Sequence, residues 1–176
     1  RNAENNLIVA ASSATSTRLA QGAFPGNNMN QVRWLASVGA DYGIIAVAKD
    51  SPLKTLPDLI KQMKADPKSV SFAGGSAVGG WDHLKVLITA KKAGIADVRT
   101  VKYIPFDGGG EAVTQLLAGK VQAFTGDASE AKGFVDAGSI KVLAVLAPER
   151  LAGDFSAFPT AKEQGINAVG ANWRGF

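Results

Sequence analysis

The sequence predicts an α/β fold with a mostly parallel sheet, and three observations carry this prediction. Apolar runs with strand character alternate with segments of helical periodicity along most of the 176 residues. Most of these runs are continuous instead of alternating with polar residues, which is typical of strands covered on both faces. Glycine-rich turns follow three of the runs and lead into helices. A hydrophobic share of 46% is enough for a core, so the chain is not of the disordered class.

Six strands are predicted from the apolar runs. They cover residues 6–11, 42–48, 69–73, 98–106, 120–125 and 140–147. The longest apolar stretch, at residues 142–148, has the length of a buried strand. It falls far short of the roughly 18 residues that a membrane-spanning helix requires.

Helical patterns fill the segments between the strands. The first helix is expected to begin at Thr55 as N-cap, with Pro57 in its first turn, and to stop before Pro67. The later helices are expected at about 82–93, 111–118 and 130–137, each followed by a glycine, with a short one from Thr160 to Gly165.

The periodicity also predicts which face of two helices is buried. Leu84, Leu87 and Ile88 are expected on the core side of the helix at 82–93. In the helix at 111–118, Leu117 is expected to point inward together with Ala112, Val113 and Leu116.

Composition disfavours several classes of protein. The net charge of +4 is mild and the basic residues are scattered, whereas nucleic-acid binding requires a clustered basic face. The absence of cysteine excludes disulfides and thiolate metal sites, and a single histidine argues against a histidine-based metal site. We therefore predict no metal and no cofactor. The chain begins at Arg1 without a signal-type segment, so we expect a processed or partial chain.

One strand–turn–helix arrangement with glycine in the turn occurs three times. It reads FAGGSAVGG at 72–80, IPFDGGGE at 104–111 and AFTGDASE at 123–130. In a parallel sheet such turns share the edge where ligands bind. Glycine allows backbone N–H groups to approach a ligand closely, and helix N-termini add free donors and partial positive charge. The sequence therefore predicts a site for an anion with several oxygen atoms.

Two residues beside these turns admit more than one role. His83, the single histidine, is either a polar residue at a helix start or a ligand contact. Asp127 either caps the following helix or bonds a ligand hydroxyl. Glu111 and Glu130 each open a helix, where a carboxylate complements the helix dipole.

Catalytic motifs are missing from the first turn. Val78 stands where a nucleophile elbow requires glycine, and the glycine spacing also fails the dinucleotide fingerprint. A hydrolase or transferase using Ser76 with His83 or Asp127 remains the enzyme alternative, and it requires a nucleophile, a base and an orienting group together. Binding without catalysis is the prediction.

Four segments together resemble the periplasmic receptors of tripartite tricarboxylate transporters, the TctC or Bug family. They are GGSAVGGWDHL, YIPFDGGGEAVTQLLAGKVQA, IKVLAVLAPERL and FPTAKEQGINAVGANWRGF, at 74–84, 103–123, 140–151 and 158–176. The resemblance runs from about Pro52 to the end and more loosely through 1–51. It implies a two-lobed, type II (Venus-flytrap) periplasmic-binding-protein fold that captures a carboxylate, holds it largely by backbone amides and ordered waters, and delivers it to a membrane permease.

The resemblance also implies where a ligand would lie. Turns of the second lobe would contribute Gly75, Ser76, Gly79 and Gly80, and also Gly108, Gly109 and Gly110. A turn of the first lobe would contribute Ser12, Ser13 and Thr15. Residues 1–51 would form part of lobe 1, 52–143 lobe 2, and 144–176 the return into lobe 1, with hinges near 48–52 and 145–148. Family members are nearly twice as long, so an incomplete chain is expected.

These observations predict a periplasmic, non-catalytic receptor for a di- or tricarboxylate such as citrate. Its partners would be the carboxylate and the permease, with no nucleic acid and no membrane-embedded part. Besides the enzyme, an effector-sensing module of a transcriptional regulator is the other alternative, because such modules share the two-lobed plan.

Overall fold

The computed structural model describes residues 7–176. Across these residues seven strands form one sheet, β1 Ala11–Ser12, β2 Ser37–Ala48, β3 Ser71–Gly74, β4 Lys102–Pro105, β5 Ala123–Asp127, β6 Ile140–Val145 and β7 Ala171–Gly175. The five α-helices of the described chain are α1 Ser13–Ala20, α2 Leu56–Ala65, α3 Trp81–Lys92, α4 Gly109–Leu117 and α5 Ala128–Asp136. None of these helices has the length and apolar character that crossing a bilayer requires.

The α/β class is confirmed, but the prediction of a mostly parallel sheet is wrong. β3 pairs in parallel with β4 and with β5. β2 runs the other way and pairs antiparallel with β5, β6 and β7. A continuous apolar run indicates that a strand is covered on both faces, and it contains no information about the direction of the neighbouring strands.

β2 belongs to two parts of the sheet. Residues 37–42 pair with β7, which in turn pairs with β1. Residues 43–48 lie between β5 and β6. Three hydrogen bonds join the parts: Gly43 N to Gly170 O at 2.9 Å, Gly170 N to Leu146 O at 2.8 Å and Leu146 N to Gly43 O at 2.7 Å. We call Gly43, Leu146 and Gly170 the junction. The division into lobes at residues 51 and 143 stays a prediction.

Apolar residues cover both faces of the second part of the sheet. One core layer lies against α2 and α3 and includes Leu59, Met63 and Phe72. The other layer lies against α4 and α5 and includes Val113 and Phe124. The strands of this part are therefore packed between helices, as the continuous apolar runs predict.

Local signals place the starts and ends of α2 to α5 to within two residues. The Thr55 hydroxyl accepts from Asp58 N at 3.2 Å, and the Asp58 carboxylate accepts from Thr55 N at 2.9 Å, so α2 begins where predicted. α3, α4 and α5 begin one or two residues earlier than predicted. The strand expected at 98–106 is instead a 3-10 turn, Val98–Thr100, followed by β4. The short C-terminal helix is a 3-10 turn, Lys162–Gln164.

Other expectations hold only in part or are wrong. Leu87 and Ile88 of α3 are half-buried and pack against the core, as predicted, whereas Leu84 is half-buried and is not in that cluster. The most buried residues of α3 include Asp82, Lys85 and Thr89, which were not expected on the core side. Leu117 of α4 is exposed. Residue 6 of the strand predicted at 6–11 lies outside the described residues, and residues 7–10 are not in a strand. α1, β7 and the first part of β2 were not predicted, because their sequences are too polar or too glycine-rich to show a clear period.

Candidate functional site

The three glycine-containing turns lie at one edge of the sheet, as predicted, because β3, β4 and β5 run in the same direction. The first two turns touch each other. A Cβ atom built on Gly75 would lie 2.6 Å from the carbonyl carbon of Gly108 and 2.7 Å from the nitrogen of Gly109. Only glycine fits at residue 75, since its backbone packs directly on the second turn.

A cavity of about 440 Å³ opens beside this contact. Its volume is within the range of small-molecule sites, roughly 300–1,000 Å³. It is lined by Gly75, Ala77, Val78, Pro105, Phe106, Asp107 and Glu111. The Glu111 carboxylate accepts from Asp107 N at 3.0 Å, and this hydrogen bond joins the second turn to the first turn of α4.

Internal hydrogen bonds shape the first turn. Gly75 N donates to the Asp82 carboxylate at 2.9 Å, and Asp82 N donates to the Ser76 hydroxyl at 3.0 Å. Gly79 N donates to Nδ1 of His83 at 3.0 Å, and Gly80 N donates to a carbonyl within the turn at 2.8 Å. The amides of Gly75, Gly79 and Gly80 are therefore engaged within the turn, and their predicted ligand contacts stay predictions.

His83 and Tyr103 brace this turn from one side. Their rings stack with centroids 4.7 Å apart, and the Tyr103 hydroxyl donates to the Ser76 carbonyl at 2.6 Å. Burial lowers the pKa of His83, and because Nδ1 accepts a hydrogen bond, the neutral ring carries its proton on Nε2. Burial also raises the pKa of Tyr103 to about 12, so its hydroxyl remains a donor at neutral pH. A ligand contact by His83 stays a prediction.

The second turn leaves its helix N-terminus available. Gly108 has φ 101°, a conformation that favours glycine, and its amide donates to Phe106 O at 2.9 Å. The indole nitrogen of Trp81, the first residue of α3, is buried and finds no acceptor in the described chain.

Several backbone N–H groups of the first two turns also find no acceptor within residues 7–176, including those of Ser76, Ala77, Val78, Gly109 and Gly110. Such donors can bind a carboxylate.

Asp127, the N-cap residue of α5, lies in a buried ionic cluster. One oxygen of its carboxylate accepts from Lys85 Nζ at 2.7 Å. The other accepts from Asn172 Nδ2 at 2.6 Å and from Arg174 at 3.2 Å. A contact between Asp127 and a ligand, which stays a prediction, would require one of these partners to move.

Lys85 was missed by the sequence analysis. Its Nζ lies 2.9 Å from Asp82 and 2.7 Å from Asp127, and its side chain is 0% exposed. A lysine next to leucines on a helix is usually exposed, so this pattern gave no indication that Lys85 is buried. The available signal was the spacing of Asp82 and Lys85, which places them on the same helix face.

Ser12, Ser13 and Thr15, which the resemblance assigns to a first lobe, lie at the start of α1, beside β7. Ser13 N donates to Asn172 Oδ1 at 3.2 Å, and its hydroxyl accepts from Trp173 N at 3.1 Å. Ser12 N donates to the Thr15 hydroxyl at 3.1 Å. At the other end of α1, Gln21 donates to the Gly79 carbonyl at 2.8 Å. Ser13 is thus connected to the ionic cluster through Asn172, and the end of α1 is connected to the first turn through Gln21. Ligand contacts by Ser12, Ser13 and Thr15 stay predictions.

Glu130 approaches the second turn from α5. The residue is exposed overall, but its carboxyl group faces inward, 3.2 Å from a Cβ atom built on Gly109. It accepts a hydrogen bond from Asp127 N at 3.0 Å. Burial of the carboxyl group raises its pKa, and the nearby charges of Asp82 and Asp127 add to this effect.

The geometry does not support the enzyme alternative. Ser76 accepts from Asp82 N, and Nδ1 of His83 accepts from Gly79, so among the described residues these two side chains form no nucleophile–base pair. The described residues also contain no group of three or more histidine or acidic side chains that could hold a metal ion.

Known proteins similar to this chain agree on one family. The family model for the tripartite tricarboxylate transporter family receptor, TctC, matches residues 8–176. The UPF0065 protein in the gbd 5′ region of Cupriavidus necator is 30% identical over 145 residues, which are 82% of this chain and 41% of that protein. Protein BugT of Bordetella pertussis is 34% identical over 113 residues, 64% of this chain and 33% of that protein. The chain thus spans less than half the length of these relatives.

A solved structure supports the same assignment. A TctC solute-binding protein from Polaromonas superposes with a TM-score of 0.75 and 28% identity, over 94% of this chain and 55% of that one. The fold of periplasmic solute-binding proteins, predicted from the sequence, is therefore confirmed, and the partial coverage agrees with the expected incomplete chain. The chain belongs to the TctC receptor family of the tripartite tricarboxylate transporters.

Proposed function

We propose that this chain is the carboxylate-binding part of a periplasmic receptor that delivers its ligand to the permease of a tripartite tricarboxylate transporter. Members of the family are solute-binding receptors and not enzymes. The observation that carries the proposal is the contact between the turns at Gly75 and Gly108, which gathers free backbone N–H groups beside one cavity.

The proposed ligand is a di- or tricarboxylate of the size of malate or citrate. Among proteins of the same fold, MatC of Rhodopseudomonas palustris was solved with malate and another R. palustris protein with adipate, at 20% and 22% identity. Hydrogen bonds to a charged group contribute roughly 1.5–3 kcal/mol each. A few of them account for micromolar affinity, about 8 kcal/mol, without an arginine clamp.

Closure of two lobes over the ligand is part of this proposal. The hinges would lie near residues 48–52 and 145–148, and Leu146 of the second segment belongs to the junction. X-ray scattering with and without malate tests this motion. An unchanged radius of gyration under saturating malate would contradict closure.

A thermal-shift screen tests the ligand class. The chain is heated with citrate, malate, succinate, tartrate, adipate and glutamate, and with chloride at equal ionic strength as the control. A ligand at about 100 times its Kd stabilises the folded state by roughly 2.7 kcal/mol, which raises the melting temperature visibly. A shift with none of the acids, on a chain shown to be folded, would contradict the proposal.

Two substitutions at one residue test the backbone donors. Gly109→Pro and Gly109→Ala bring the same Cβ atom beside Glu130, at 3.2 Å, but only proline removes the N–H group. Proline is also well suited to the first position of α4. Calorimetry should show at least about tenfold weaker binding for Gly109→Pro, corresponding to the loss of one charged hydrogen bond. Equal affinities for the two variants would show that the N–H group of Gly109 does not bind the ligand.

A further inference from the structure

Lys85 is the most deeply buried charged residue near the turns. Its side chain is 0% exposed, which is rare for lysine and requires compensating partners. Two glycines make room for its aliphatic part. A Cβ atom on Gly43 would lie 2.5 Å from Cδ of Lys85, and one on Gly170 would lie 2.9 Å from Cγ. The aliphatic part of the lysine therefore packs against the junction, and its ammonium group is fully buried.

The ammonium group is connected to the first turn through one carboxylate. Oδ1 of Asp82 lies 2.9 Å from Lys85 Nζ, and Oδ2 of the same carboxylate accepts from Gly75 N at 2.9 Å. Because one carboxylate joins the two contacts, the orientation of Asp82 fixes the start of the turn. The turn in turn packs on Gly108 and Gly109 of the second turn.

The same ammonium group is connected to the first-lobe side of the chain. Asp127 accepts from Lys85 at 2.7 Å and from Asn172 at 2.6 Å, and Asn172 accepts from Ser13 N at 3.2 Å. Arg174 also reaches Asp127, at 3.2 Å. In the cluster formed by Asp82, Lys85, Asp127 and Arg174, Lys85 contacts both carboxylates and the half-exposed Arg174 contacts Asp127. The Glu130 carboxyl group lies beside this cluster and accepts from Asp127 N at 3.0 Å.

We propose that Lys85 is a positioning residue of the carboxylate site: its charge holds the first glycine turn in the conformation that binds ligand and connects that turn to β7 and α1. The inference rests on the proposed function, and it extends that function to a residue that touches no ligand. A lysine that served only the stability of the fold would leave the affinity of the folded protein unchanged when its charge is removed.

Chemical replacement of the lysine tests the charge alone. The chain has no cysteine, so Lys85→Cys can be alkylated selectively in the unfolded state and refolded. Treatment with 2-bromoethylamine restores an ammonium group at the same distance from the backbone. Treatment with 1-bromopropane gives a side chain of the same length without charge, which is the matched control.

Affinity for malate and citrate is measured by calorimetry on the folded fraction of each protein, alongside amide hydrogen exchange at Gly75. We expect the aminoethyl protein to bind like the unmodified chain. We expect the propyl protein to bind about tenfold to a hundredfold more weakly, as when the partners that orient a ligating group are lost. Gly75 N–H should exchange faster in the propyl protein only.

A second variant covers the outcome that the propyl protein does not fold. Lys85→Met with Asp127→Asn removes one charge of each sign, and Asp82 loses its lysine. Asp127→Asn alone is the matched control, because Asp127 is itself a candidate ligand contact. The double variant should fold and bind about tenfold or more weakly than this control.

The outcomes separate the inference from the proposed function. If the aminoethyl and propyl proteins, or the Asp127→Asn and double variants, bind malate or citrate equally, the inference is overturned and the receptor function stands. If the folded, unmodified chain binds neither acid, the proposed function fails and the inference fails with it.

Discussion

The two parts of β2 differ in burial although they belong to one continuous strand. Residues 44–47 are almost completely buried, with Ile44 at 0% exposure, whereas Val38 in the first part is 67% exposed. Both parts are paired with strands on the sheet. The difference comes from the layers above and below: helices cover both faces of the second part, and in the described chain large apolar residues near the first part, such as Leu35 and Phe176, remain exposed.

This contrast explains where the candidate site lies. The glycine turns belong to strands of the covered part, whose helices hold the turn backbone in place. The exposed part depends more on individual contacts, such as the edge-to-face pair of Trp34 and Trp173 with centroids 5.4 Å apart. The junction and Lys85 lie between the two parts and join them.

The largest expected effect on stability comes from shortening one side chain in each part of β2. Ile44→Ala removes a fully buried side chain and should lower the free energy of unfolding by about 2–5 kcal/mol. Val38→Ala, at an exposed residue, should change it by about 0.5 kcal/mol or less. Denaturant unfolding measures both. Similar losses for the two variants would mean that the first part of β2 is covered in solution.

The next effect concerns the junction. Gly43→Ala places a Cβ atom 2.5 Å from the buried Lys85 side chain and should destabilise the protein by about 1–3 kcal/mol.

Gly39→Ala is the control in the exposed part of the same strand, because a Cβ atom there meets nothing within 4 Å. It should have little effect or stabilise slightly, since alanine has fewer unfolded conformations than glycine. Thermal unfolding that ranks Gly39→Ala below Gly43→Ala would contradict the packing of Lys85 in the junction.

The smallest effect is a pH dependence of opposite sign at two glutamates. In the covered part, the folded-state pKa of Glu130 is raised above its ordinary value of 4.5 by burial. The folded state therefore holds the proton more tightly, and the contribution of this group to stability is lost as pH rises through the raised pKa. Glu130→Gln should be more stable than the parent at pH 7 and equal to it at acidic pH.

Glu163 provides the contrasting case at the surface. Hydrogen bonds from Thr160 N and from Arg150 lower its pKa, so its contribution is present above pH 4.5 and lost as pH falls through the lowered value. Glu163→Gln should be less stable than the parent at neutral pH. Denaturant melts from pH 3 to 8 compare the two variants, and a shared sign would contradict the assigned environments.

Local features of the fold were predictable from the sequence. Thr55 and Asp58, three residues apart, fix the start of α2 by hydrogen bonds between neighbours. Glycine turns after apolar runs located the edge of the sheet where the candidate site lies. The amide of Gly75, however, is engaged by Asp82, so the turn sequence alone did not show which donors are available.

What the sequence by itself determined is therefore the class of fold, the starts of α2 to α5 to within two residues and the position of the turns, because these follow from patterns of neighbouring residues. Only the tertiary structure decided the direction of β2, the burial of Lys85 and the link from Ser13 to the site. Lys85 meets Asp127 across 42 positions, and Ser13 meets Asn172 across 159. The energies of such contacts depend on which distant groups the fold brings into the same buried space. Local sequence patterns do not indicate which distant residues meet.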